Sequence, residues 1–146
     1  DTFIGGISMG GYGAMINGLR YNDTFSKIIS LSGAYIGINI ADKGDFIPDH
    51  VSDAKYQRRI FQDPKELRFT TKDPRYCMEV LKTSKKKFPD IYFVCGKEDF
   101  LIESNRKFHN FMITNDVEHY YEEGEGVHDW VYWKKHLEPS IMWAIK

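Results

Sequence analysis

A G-I-S-M-G motif centred on Ser8 constrains the fold of this chain more than any other feature. The apolar residues 2–4 before it are typical of a strand, and residues 12–20 after it are typical of a helix. A serine on so sharp a turn has a strained backbone, and neighbours with a Cβ would collide with it. Gly6 and Gly10 are expected to remove those collisions, so that the Ser8 hydroxyl projects above the end of a sheet as a nucleophile. The alternative is that Ser8 only caps the helix.

Strands and helices alternate along most of the remaining chain. Further strands are predicted at residues 25–33, 90–96 and 117–122, and further helices at residues 73–85, 102–114 and 129–145. The run at 90–96 is continuously apolar, as expected for a parallel strand covered by helices on both faces. Pro139 inside the last helix predicts a kink or a restart. The alternation predicts one α/β domain with three layers, in which helices flank a mostly parallel sheet.

Residues 35–71 interrupt this alternation. Glycines and prolines punctuate the segment, and only residues 52–61 are typical of a helix. Irregular insertions of this length are uncommon in compact domains unless they have a function. We therefore expect the segment to form a lid or a wall of a substrate pocket.

Two further residues follow predicted strands and could act together with Ser8. Asp99 comes shortly after the strand at 90–96, and His128 lies on a glycine-flanked loop after the next strand. Parallel sheets carry their active groups on the loops beyond the carboxyl ends of the strands. The order Ser, Asp, His is the one found in α/β-hydrolases, in which they act as nucleophile, acid and base. Glu98 is an alternative acid, and both Asp99 and His128 could instead be capping or surface residues.

The predicted catalytic residues are thus Ser8, Asp99 and His128. The backbone N–H of Met9, directly after the nucleophile, is predicted to donate to the oxyanion. A second donor normally comes from a loop near the start of such a fold. The other histidines lie in the insertion, in helices or in a strand, and fit the role of base less well: His50, His109, His119 and His136. This chemistry requires no metal and no organic cofactor.

Three sequence blocks carry a resemblance to a known family: I-S-M-G-G-Y-G-A from Ile7, C-G-K-E-D-F-L from Cys95, and G-V-H-D-W-V-Y-W from Gly126. With them the chain resembles the C-terminal half of the tributyrin-esterase (esterase D-like) branch of the α/β-hydrolases. That branch includes S-formylglutathione hydrolases and feruloyl or acetyl-xylan esterases. The resemblance implies a carboxylesterase that forms an acyl-serine intermediate, with acetyl to butyryl groups as the expected acyl groups.

The same resemblance implies that residues 1–146 are the C-terminal part of a single α/β-hydrolase domain. The strands and helices that precede the motif in this family are missing from the chain, and a separate chain could supply them. The first strand would then present an unpaired edge. We expect the isolated chain to be weakly active at best.

Other functions remain open at this point. A thioester hydrolase acting on S-formylglutathione would share the same motif and catalytic residues. A serine peptidase of the oligopeptidase type fits less well, because the two tryptophans after His128 do not match its last helix. A binding module with a vestigial triad is the alternative that is not an enzyme.

Composition and charge limit the classes of partner that we expect for this chain. The net charge is −1, and no basic stripe interleaved with aromatic residues is present, which argues against nucleic acid as a partner. No apolar run is long enough to cross a membrane, so no membrane partner is expected. Cys77 and Cys95 do not have metal-ligand spacing, and Cys95 lies in an apolar run. This fits a reducing, cytoplasmic location, although secretion stays open because the chain opens at Asp1, already at the edge of a strand.

Overall fold

The structure, a computed structural model, describes residues 2–146 and is built around one parallel sheet. Its strands are β1 (Phe3–Ile7), β2 (Lys27–Leu31), β3 (Asp90–Gly96) and β4 (Tyr120–Gly124). They lie in the order β1-β2-β3-β4, and each neighbouring pair is parallel. The carboxyl ends of all four strands therefore lie at the same edge of the sheet.

Helices cover both faces of the sheet. They are α1 (Met9–Arg20), α2 (Ile36–Lys43), α3 (Ala54–Phe61), α4 (Pro74–Thr83), α5 (Ile102–Thr114) and α6 (Trp130–Ala144), with one turn of 3₁₀ helix at Leu67–Phe69. Successive side chains of a strand point to opposite faces. Phe93 of β3 accordingly joins a core with α1, α2, α4 and α5, whereas Tyr92 and Val94 pack with Tyr132 and Trp133 of α6. The predicted three-layer α/β architecture is confirmed.

The segment 35–71 is more regular than the sequence predicts. Residues 54–61 form α3, as expected, but the sequence does not predict α2, because Gly37 and Gly44 are typical of turns. Gly37 lies inside α2, where a Cβ would come within 2.7 Å of a ring carbon of Phe61, so its role is close packing. Gly44, at φ 71, is the left-handed residue that ends α2.

Two other predictions about the elements need correction. β4 begins at Tyr120 rather than at residue 117, because the segment before it is bound to the end of α5. There the N–H of Val117 donates to the carbonyl of Met112 at 2.9 Å.

α6 continues through Pro139 without a restart. Pro139 lies on the exposed side of the helix, so the carbonyl one turn earlier, which loses its helical donor, can bind water. No helix within residues 2–146 is both long and apolar enough to cross a membrane.

Candidate active site

Ser8 occupies the turn between β1 and α1 in a conformation that L residues seldom adopt. Its φ is 57 and its ψ is −121. The turn is held in place by its backbone, since the Ser8 N–H donates to the Leu31 carbonyl at 2.9 Å. The Ser8 carbonyl accepts from the N–H groups of Tyr12 and Ala34 at 3.1 and 3.0 Å. Such backbone strain persists when the surroundings over-determine it, and it is typical of functional sites.

The glycines of the motif differ in what they do. A Cβ on Gly6 would overlap the backbone carbonyl of Gly10, so Gly6 is required for the close approach of β1 and α1. The prediction for Gly10 is wrong in this respect, because a Cβ there would meet no atom within 4 Å among the described residues. Gly11 has the packing role instead, since its Cβ would lie 2.7 Å from the Ser30 hydroxyl.

The three predicted catalytic side chains form a continuous hydrogen-bonded chain. The Oγ of Ser8 lies 3.0 Å from Nε2 of His128. Nδ1 of His128 lies 2.8 Å from Oδ2 of Asp99. Ser8 stands at the N-cap position of α1, yet its side chain forms no capping hydrogen bond to the residues described here. Its hydroxyl is therefore available to the imidazole.

Asp99 is held in one orientation by its surroundings. It is 2% exposed, and its second oxygen, Oδ1, accepts from the N–H of Leu101 at 2.9 Å. Because a carbonyl or carboxylate oxygen can only accept, Nδ1 of His128 must carry a proton when it bonds to Oδ2. Nε2 of a neutral His128 is then the acceptor for the Ser8 hydroxyl. Glu98, the alternative acid, points elsewhere and accepts from the N–H of Gly126 at 2.7 Å.

Two aromatic rings fix the faces of the imidazole. Trp133 and Phe100 each meet the His128 ring edge-on, with ring centroids 4.9 Å apart in both cases. The indole Nε1–H of Trp133 donates to the buried hydroxyl of Ser32 at 2.9 Å. The sequence did not predict a role for Ser32. Its place directly after β2, where Ser8 follows β1, was the signal that could have pointed to it.

A cavity of about 130 Å³ opens beside the Ser8 hydroxyl. Most of its lining is apolar, and four of its residues come from the segment 35–71. The lining residues are Ser8, Met9, Ala34, Ile36, Val51, Ser52, Tyr56, Phe100, Leu101 and His128. Met9 is the first residue of α1, and an N–H at that position has no acceptor within its own helix. It is therefore free to donate to a group bound at the cavity.

The remaining histidines lie outside this hydrogen-bonded chain. His109 and His119 bond to each other, with Nδ1 of the first 2.8 Å from Nε2 of the second. His136 packs on the ring of Tyr132, and His50 packs on Phe100 at the rim of the cavity. Residues 2–146 contain no group of three or more His, Cys, Asp or Glu side chains placed to hold a metal ion.

The class of the protein follows from comparison with known families. The model of the Esterase family, described as "Putative esterase", matches residues 1–144. The chain belongs to this esterase family, and its parallel sheet is part of an α/β-hydrolase fold. The resemblance predicted from the sequence blocks is confirmed at this level.

Individual relatives agree with this assignment. The chain is 42% identical over 145 residues to an acetyl esterase of Caldicellulosiruptor saccharolyticus. The alignment covers 99% of this chain and 54% of that protein. It is 30% identical to an S-formylglutathione hydrolase from Staphylococcus aureus, with a TM-score of 0.80 over 100% of this chain and 55% of the other. A fluorophosphonate-binding serine hydrolase F from the same organism gives 30% identity and a TM-score of 0.81 with the same coverage. The chain thus spans about half the length of these relatives.

Proposed function

We propose that this chain carries the catalytic residues of a serine carboxylesterase for short acyl esters, acetyl to butyryl. The observation that carries the proposal is the unbroken chain of contacts from Ser8 through His128 to Asp99, which ends at a small apolar cavity. It is also supported by the similarity to an acetyl esterase at 42% identity. The three sequence blocks also favour the tributyrin-esterase branch of the family.

In the proposed reaction, Ser8 Oγ attacks the ester carbonyl carbon while Nε2 of His128 takes the hydroxyl proton. Asp99 accepts from Nδ1–H and stabilises the positive imidazolium. The Met9 N–H donates to the oxyanion, and a second donor is expected from the part of the fold that precedes this chain. When the intermediate collapses, the C–O bond to the alcohol breaks and His128 returns the proton to the leaving oxygen. Water then attacks the acyl-serine with His128 again as base, which releases the carboxylic acid and restores Ser8.

The acyl preference is argued from the cavity. A volume of about 130 Å³ with a mostly apolar lining is enough to hold an acyl chain of a few carbons. We propose that the segment 35–71 forms the wall of this acyl pocket, because Val51, Ser52 and Tyr56 line it. Substitutions at these positions should therefore shift acyl preference more than they change reactivity toward acetyl esters.

A thioester hydrolase is the second candidate. It is favoured by the similarity to the S-formylglutathione hydrolase, which aligns over 100% of this chain. Ester and thioester substrates use the same nucleophile and base, so the geometry of Ser8 and His128 does not separate the two. Comparing kcat/KM for p-nitrophenyl acetate with that for S-formylglutathione decides between them. A binding module with a vestigial triad would turn over neither.

We also propose that the surface around β1 packs against the remaining strands of the fold. Within residues 2–146, β1 pairs with another strand on one side only, where it meets β2. A groove of about 390 Å³ beside it is lined by apolar side chains that include Phe3, Ile7, Leu137 and Ile141. An exposed apolar groove beside an unpaired strand edge is typical of an interface. The isolated chain should accordingly be weakly active until these strands are supplied on the same or a separate chain.

The cytoplasmic location also stays a prediction. It is supported by Cys77 and Cys95, which are free and buried, and burial raises the pKa of both thiols.

The direct test is hydrolysis of p-nitrophenyl acetate and butyrate by the chain, alone and joined to the N-terminal half of a relative. Ser8→Ala and His128→Ala should each lower kcat by roughly three orders of magnitude or more. Ser84→Ala, an exposed serine at the end of α4, is the matched control and should leave the rate unchanged. Ester turnover that survives Ser8→Ala would refute the proposed nucleophile.

A further inference from the structure

The loop that carries His128 is bound to the loop that carries Asp99 by three hydrogen bonds. The N–H of Lys97 donates to the Gly124 carbonyl at 2.8 Å, and the N–H of Glu98 donates to the Gly126 carbonyl at 3.1 Å. The third bond comes from a side chain: Oε2 of Glu98 accepts from the Gly126 N–H at 2.7 Å. Glu98 therefore bonds both the N–H and the carbonyl of Gly126.

Gly126 fits this position because it has no side chain. Its φ is +146, a value that disfavours L side chains, and a Cβ there would lie 2.7 Å from a ring carbon of Tyr132. On the other side, a Cβ on Gly96 would overlap the Gly126 carbonyl. The residue is thus confined between the end of β3 and α6. The backbone conformation of Gly126 sets the direction of the following residues, and His128 lies two residues after it.

We propose that Glu98 is a positioning residue, which holds the His128 loop so that Nε2 stays within hydrogen-bond reach of Ser8. The proposal rests on the proposed esterase function, because the position of His128 matters only if it acts as the base. Two consecutive acidic residues then hold the histidine at two points. Asp99 fixes the imidazole through Nδ1, and Glu98 fixes the backbone of its loop through Gly126.

Glu98 is exposed, and hydrogen bonds at exposed positions contribute little to folding. Displacing a catalytic group by a fraction of an ångström nevertheless lowers the rate of a reaction that depends on the alignment of its groups. The bond from Glu98 to Gly126 is charge-assisted, and without it the backbone between residues 124 and 126 is held to β3 by the N–H groups of residues 97 and 98 alone among the described bonds. The effect of losing Glu98 should therefore appear in kcat rather than in folding.

The test compares Glu98→Ala with Glu98→Gln, whose amide oxygen can still accept from the Gly126 N–H. We expect Glu98→Ala to lower kcat by roughly tenfold with KM unchanged, and Glu98→Gln to restore most of the loss. Glu125→Ala removes a carboxylate from the same loop and is the matched control. The Glu125 carboxylate forms no hydrogen bond or ion pair with the residues that the structure describes, so its loss should leave kcat unchanged. Equal rates for wild type and Glu98→Ala would overturn the proposal.

A second measurement does not depend on turnover. Hydrogen exchange at the Gly126 amide and the proton NMR signal of His128 Nδ1–H report the position of the loop and of the ring directly. Glu98→Ala should speed the exchange of both protons, whereas Glu98→Gln and Glu125→Ala should keep them protected. If the chain hydrolyses no ester even when joined to the N-terminal half of a relative, the esterase proposal fails while these signals still decide whether Glu98 holds the loop. Unchanged protection in Glu98→Ala would overturn that role.

Discussion

Replacing Asp99 by asparagine should lower turnover by orders of magnitude while the fold persists, because the new amide can face its neighbours in one favourable way only. Oδ1 of Asp99 accepts from the buried N–H of Leu101, and Oδ2 faces Nδ1 of His128. In Asp99→Asn the amide oxygen stays with Leu101, so the NH₂ group turns to the imidazole. It then donates to Nδ1, which moves the imidazole proton to Nε2. A protonated Nε2 cannot take the proton of Ser8.

The magnitude follows from what recovery of the productive arrangement would cost. Flipping the amide leaves the Leu101 N–H unpaired in a buried site, which costs about 1–3 kcal/mol. The neutral amide also gives up the charge-assisted bond to the imidazolium, a further loss of about 1.5–3 kcal/mol. With about 1.4 kcal/mol for each factor of ten, kcat should fall by roughly 10²–10⁴-fold. KM should change little, because neither atom contacts the acyl cavity.

The assay is p-nitrophenyl acetate hydrolysis, with unfolding followed by circular dichroism. Asp129→Asn is the matched control, since it makes the same change next to His128 in the sequence. There the side chain only caps α6 by accepting from the Tyr132 N–H at 3.0 Å, and asparagine caps as well. If Asp99→Asn keeps more than a tenth of the wild-type rate, the assignment of Asp99 as the orienting acid is refuted.

Three further predictions concern the surroundings of the site. Trp133→Phe removes the indole donor to Ser32 but keeps an aromatic edge against His128, so kcat should fall by roughly three- to tenfold. The melting temperature should also fall, because the buried Ser32 hydroxyl loses its partner. Gly6→Ala forces a Cβ onto the Gly10 carbonyl and should cost about 3 kcal/mol or more of unfolding free energy in a urea titration. Burial and a neighbouring histidine lower the pKa of His109 below 6.5, so the unfolded chain takes up its proton first as pH falls. The free energy of unfolding should therefore drop as pH is lowered through 6.5, and by less in His109→Gln; an equal drop in both would contradict this.

The parts of the site that the sequence predicts share a simple geometric origin. Ser8, Asp99 and His128 each follow a strand within a few residues, and parallel strands end at one edge of a sheet. Their proximity can therefore be predicted once the strands are assigned. The serine motif indicates β1, and the apolar run at residues 90–96 indicates β3. The order Ser, Asp, His along the chain then predicts which residue is the nucleophile, which the acid and which the base.

The parts that the sequence does not predict depend on distances across the fold. The bond between Trp133 and Ser32 joins α6 to the end of β2, and no local pattern gives that separation. The sequence indicates Glu98 only as an alternative acid, because the approach of Gly126 to the end of β3 is a tertiary contact. The sequence does not predict α2, because Gly37 has a packing role rather than a role in a turn, and glycine composition alone does not distinguish the two.

The most direct test of the central claim is the site of reaction with a fluorophosphonate, read by intact mass and peptide mapping. We expect one adduct, on Ser8, in the folded chain. The adduct should be absent in Ser8→Ala and should form at least tenfold more slowly in His128→Ala. A folded wild-type chain that takes up no label, or that carries it on a residue other than Ser8, would contradict the claim that Ser8 is an activated nucleophile.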